Sequence, residues 1–69
     1  MVIVSKNGKS MINDPDYIGC ENVELYAVKH GKLVSLGVYR SGEEARESFR
    51  NVVTAYADGS IRLYSLDKQ

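Results

Sequence analysis

A chain of 69 residues, nine basic against nine acidic, holds one domain, 1–69, and too little apolar mass to rest on its core alone. Zero net charge excludes a general nucleic-acid binder, which needs surplus cations to displace counterions. A single cysteine, Cys20, and a single histidine, His30, exclude an internal disulfide and offer no zinc-ligand spacing, so no metal and no cofactor is expected. No apolar run approaches the roughly 18 residues of a membrane span. The start, Met1-Val2-Ile3-Val4-Ser5-Lys6, lacks the basic lead and long apolar stretch of a signal peptide. The expected location is the cytoplasm.

In chain order, Val2–Ser5 is β-rich, and Asn7-Gly8 is a strong hairpin signal because both residues tolerate positive φ. Ser10–Asn13 is the expected return strand. Pro15 then breaks the pattern, and Tyr17–Cys20 reads as a short extended piece. From Glu21 to Lys29 the chain alternates with a period of two, with Val23, Leu25 and Ala27 on one side. His30-Gly31-Lys32 makes a turn, and Leu33–Arg40 is the next strand. Within it Gly37 signals a bulge or a close backbone approach.

At Ser41 the period changes. Ser41 and Glu44 form a capping box, and Ala45, Phe49, Val52, Val53 and Tyr56 fall on one helical stripe. Glu43–Arg46 and Glu47–Arg50 are spaced to pair on the solvent side. Asp58-Gly59 stops the helix, with Gly59 expected as a left-handed cap. Ser60–Ser65 is the last strand, and Leu66–Gln69 reads as a frayed end. The expected fold is α+β: a small antiparallel sheet in the order ββ(β)ββαβ, with one amphipathic helix packed on one face.

One helix covers one face of a sheet. With Val23, Leu25, Val34, Leu36, Val38, Ile61 and Leu63 beneath it, the other face carries Ile3, Tyr26, Val28, Leu33, Tyr39, Arg62 and Tyr64. A small monomer seldom exposes so much contiguous apolar surface, and a second copy is the commonest cover. A homo-oligomer, a dimer or higher, is therefore expected. A single bulge at Gly37 swaps part of this set.

The sequence holds no nucleophile elbow, Walker loop or dinucleotide-binding glycine motif, so an enzyme is not expected. Arg40-Ser41-Gly42 precedes a helix N-terminus, a place for phosphate, although Glu43 and Glu44 already occupy that end. Lys29 and His30 form a compact positive loop with Lys32. The tyrosines Tyr26, Tyr39 and Tyr64, sharing a face with Arg62, suit either stacking on a base or a subunit contact. The candidate ligand-binding set is Arg40, Arg62, Tyr26, Tyr39, Tyr64, Lys29 and His30.

Three segments carry a resemblance: Val4-Ser5-Lys6-Asn7-Gly8, Leu36-Gly37-Val38-Tyr39-Arg40-Ser41-Gly42-Glu43-Glu44-Ala45, and Ala55-Tyr56-Ala57-Asp58-Gly59. They match the patterns V-x-K-N-G, L-G-x-Y-x-S-x-E-x-A and A-x-x-x-G. In these the chain resembles a group of small proteins from Gram-positive bacteria and their phages. The shared residues are turns, caps and helix stops, so the resemblance implies a setting on phage or mobile DNA, with the host cytosol as location. The function expected from that setting is a non-enzymatic oligomer that sequesters a small nucleotide immune signal. The alternative is a protein-binding inhibitor or accessory factor that blocks a host protein.

Overall fold

The computed structural model describes residues 1–68. Its elements are β1 (Val2–Val4), β2 (Met11–Asn13), β3 (Tyr17–Glu21), β4 (Glu24–Lys29), β5 (Lys32–Val38), α1 (Gly42–Ala57), β6 (Leu63–Ser65) and a closing 3-10 turn (Leu66–Lys68). The fold is α+β in the expected element order. The strands divide between two three-stranded sheets, ordered β2-β1-β6 and β3-β4-β5. The second is an antiparallel meander. In the first, β1 pairs antiparallel with β2 and parallel with β6.

Local chemistry sets the turns. Asn7 Oδ1 accepts from Ser5 Oγ and the Lys9 N–H, and Gly8 sits at φ 72° in the bend of the first hairpin. His30 and Gly31 both take positive φ, 53° and 77°, as the two-residue link between β4 and β5 requires. Asn22 at φ 54° turns the chain between β3 and β4, so the alternation read from Glu21 to Lys29 spans a turn as well as a strand.

Gly37 fulfils both expectations for it. Leu25 faces Gly37 while Tyr26 faces Ser35, which leaves Leu36 as the extra residue of a bulge. A Cβ on Gly37 would lie 2.8 Å from Lys6 Cβ, so any side chain there meets the first sheet. Beyond the bulge the faces exchange. Val38, expected inside, is 58% exposed, and Tyr39, expected outside, is buried.

Ser41 caps α1, its Oγ accepting the Glu44 N–H at 3.1 Å. The Glu44 carboxylate turns to Arg40, 3.8 Å away, in place of the reach-back of a capping box. The expected Glu43–Arg46 and Glu47–Arg50 pairs are not formed among the described residues. The helix buries Ala45, Ser48, Val52 and Ala55 on β3 and β4, whereas Val53 and Tyr56 are exposed and Phe49 only partly buried. The buried stripe is rotated from the expected one toward the small residues Ala45, Ser48 and Ala55. Asp58, not Gly59, closes the helix, its N–H donating to the carbonyls of Thr54 and Ala55.

Both sheets and the helix share one core built on Ile3, Leu25, Leu36, Val52 and Leu66. Ile3 is therefore an inside residue, not part of an outer face. Leu66, expected to fray, is fully buried in the 3-10 turn that packs on β1. Gln69 lies outside the described residues. Cys20, a free thiol, is half-buried against the same core.

Two carboxyls give the fold an acid-sensitive component. The N-terminal ammonium bonded to Asp14 holds that carboxyl below its usual 3.8. The Ser60 hydroxyl and N–H do the same for Asp58. Each folded pKa lies below the unfolded one, so the contribution is complete above the unfolded value and lost as pH falls through the folded one. The melting temperature is expected to drop as pH is lowered below about 4, with a shallower slope in Asp14→Asn. An equal slope in wild type and variant would refute the assignment.

Candidate functional site

The seven candidate residues occupy five separate places. Tyr26 is on the outer face of the meander, its ring over Gly19 and 6.2 Å from that of Tyr17 at a 36° tilt. Desolvation, with Tyr17 adjacent, raises its phenol above the usual 10.0. Tyr64 packs on the core beside a groove shared with Asn51, Thr54 and Ile61. Arg62 is exposed just before β6, and its carbonyl accepts the Val2 N–H at 2.8 Å.

Lys29 and His30 hold the fold together at the β4–β5 tip. The Lys29 Nζ donates to the Asn13 carbonyl, and the His30 N–H donates to Asp16 Oδ2 at 3.0 Å. These bonds tie the hairpin tip to the turn around Pro15, through the Lys29 side chain and the His30 backbone.

Tyr39 and Arg40 do come together. They line an open cleft of about 460 Å³ with Lys6, Glu44, Glu47, Ser48 and Asn51. Lys6 bridges the two sheets here. Its N–H donates to the Leu36 carbonyl at 2.7 Å, and its ammonium donates to the Val38 carbonyl at 3.2 Å and lies 4.9 Å from the centre of the Tyr39 ring. The Tyr39 hydroxyl is buried without a hydrogen-bond partner. Such an unpaired group costs about 1–3 kcal/mol.

Sequence reasoning missed Lys6, Glu47, Ser48 and Asn51. A trace existed on the helix, where Glu44, Glu47, Ser48 and Asn51 recur at helical spacing and Ser48 interrupts a buried stripe with a hydroxyl. Nothing local points to Lys6, which joins the cleft by tertiary contact.

Two surfaces are apolar. The outer face of the meander gathers Tyr17, Leu33 and Val38, which are 58%, 63% and 58% exposed, around half-buried Tyr26 and Val28, with Glu21, Glu24 and Ser35 on the same side. A second, smaller groove of about 240 Å³ runs between β3 and α1, lined by Pro15, Ile18, Phe49, Val53 and Tyr56 among others. β3 is an edge strand, so this groove borders a row of strand backbone with no neighbour in its sheet. Among the described residues no three His, Cys, Asp or Glu side chains converge as metal ligands, and no helix is long and apolar enough to cross a membrane.

No family model, curated protein or solved structure matches the chain.

Proposed function

We propose that this chain is a non-enzymatic, homo-oligomeric binding protein that sequesters a small nucleotide, in the setting of phage or mobile DNA. The observation that carries the reading is the uncovered meander face. Tyr17, Tyr26, Val28, Leu33 and Val38 give it an apolar surface, interrupted by Glu21, Glu24 and Ser35, on a domain too small to leave it wet without consequence. An isologous pair covers it with the same five residues from the other copy.

The nucleotide part draws its support from chemistry near Tyr39. The stacked face of Tyr26, Tyr39, Tyr64 and Arg62 expected from alternation does not form, because the bulge turns Tyr39 inward and Tyr64 belongs to the other sheet. Lys6 and Arg40 nevertheless sit on one cleft and supply two cations for phosphate.

The second reading, a blocker of another protein, has its own observation. The β3 edge beside an apolar groove suits an extended peptide, which would add a strand and place alternate side chains against Phe49 and Tyr56. Light scattering combined with calorimetric titration of cyclic and ADP-ribose-type nucleotides separates the readings. A defined oligomer that binds a nucleotide supports the first. A monomer that binds none of them removes it, and recovery of one stoichiometric protein partner then favours the second.

A further inference from the structure

We infer that the cleft between α1 and the end of β5 binds a phosphorylated ribose, with the phosphate on Lys6 and Arg40 and the sugar diol on the helix carboxylates. This rests on the nucleotide reading and gives it a location. The cleft has two cations, Lys6 and Arg40, and two carboxylates, Glu44 and Glu47. A bare dianion would be drawn by the first pair and repelled by the second. A neutral polyol would leave the cations without a counterpart. A ligand with an anionic end and a hydroxyl-bearing end satisfies both, because ionised carboxylates only accept and vicinal hydroxyls donate.

Each group has spare capacity. The Arg40 side chain is 93% exposed and its contact with Glu44 is long, at 3.8 Å, so it is free to turn onto phosphate. The Lys6 ammonium spends one donor on Val38 and keeps two. Glu47 makes no hydrogen bond or ion pair among the described residues. The Tyr39 hydroxyl, on a residue that lines the cleft, is buried without a partner, and native proteins seldom leave such a group unpaired. A cleft of about 460 Å³ lies within the usual range for small-molecule sites.

The test is titration of isotope-labelled protein with ribose 5-phosphate, AMP, ribose and inorganic phosphate, followed by amide shifts and calorimetry. Ribose 5-phosphate and AMP are expected to move the amides of Lys6, Tyr39, Arg40 and Ser48. Ribose or phosphate alone should bind at least about tenfold more weakly, as loss of a charge-assisted bond implies. Lys6→Gln and Glu47→Gln should each weaken binding by about tenfold. Tyr39→Phe should weaken it while leaving the melting temperature unchanged or higher, a combination that a purely structural tyrosine would not give.

Inorganic phosphate binding as tightly as ribose 5-phosphate would overturn the assignment, because the carboxylates would then contribute nothing. AMP binding that shifts Tyr17, Tyr26 and Leu33 instead would remove the cleft and leave the nucleotide reading standing. Ribose 5-phosphate binding without any nucleotide would remove that reading and leave the cleft. Absence of binding by every ligand would remove both.

Discussion

If copies of this chain pair through the meander face, as proposed, Leu33→Glu is expected to leave only monomers without disturbing the fold. Leu33 lies on the outer face of the meander and is 63% exposed in the isolated chain, so its replacement removes little from the protomer's own core. In an isologous interface the change is made twice. Burial of a leucine side chain is worth about 1.5–3 kcal/mol, so two losses come to about 4 kcal/mol, close to a thousandfold in Kd. The two introduced carboxylates add repulsion across the contact. Sedimentation equilibrium reads the change, and circular dichroism with thermal melting confirms an intact protomer. If wild type and variant show the same subunit count, the meander face is not the assembly surface.

Leu25→Ala is expected to remove a large share of the domain's stability. Leu25 is fully buried on β4, opposite Cys20 of β3 and Gly37 of β5, in the core shared by α1 and both sheets. Truncating a buried leucine costs about 2–5 kcal/mol, depending on how far the cavity collapses. A domain of this length has roughly 3–10 kcal/mol in total, so one residue commands much of it. Leu25→Met, which keeps the volume, should cost less than about 1.5 kcal/mol. Urea denaturation of the three proteins measures both numbers. A Leu25→Ala midpoint equal to that of wild type would mean that this core position does not hold the domain together.

Features set by neighbouring residues were legible in the sequence. The Asn7-Gly8 and His30-Gly31 turns depend on residues that accept left-handed backbone, and the Ser41 cap depends on a hydroxyl three residues before Glu44. Gly37 marked its bulge because a side chain there would collide with Lys6. Features set by distant contacts were not legible. Alternation runs through Val23, Leu25 and Ala27 whether or not the chain turns at Asn22, so the turn was absorbed into a strand begun at Glu21, where β4 begins at Glu24. The division into two sheets depends on β1 choosing β6, a pairing with no signature in either segment.

The candidate site followed the same division. Arg40 was found because it precedes the cap and Tyr39 as one of the face tyrosines, and the two do share a cleft. Tyr26, Tyr64 and Arg62 were grouped by an alternation that a single extra residue interrupts. Lys29 and His30 looked like a cationic patch, yet the Lys29 ammonium already donates to the Asn13 carbonyl, and Asp16 sits at the tip on the His30 backbone N–H. Sequence gives the sign of a charge but not its neighbours.

The parallel pairing of β1 with β6 joins Val2 to Leu63 and Val4 to Ser65. Residues from opposite ends of the chain must therefore meet before the first sheet is complete. During synthesis the leading hairpin emerges early and waits for a strand that the ribosome has yet to make. The meander and helix assemble from neighbouring segments and can form first, with closure of the β1–β6 seam as the slow step because it joins the most remote partners. A nascent chain stalled before residue 63 would expose the inner side of Ile3, a surface on which chaperones act.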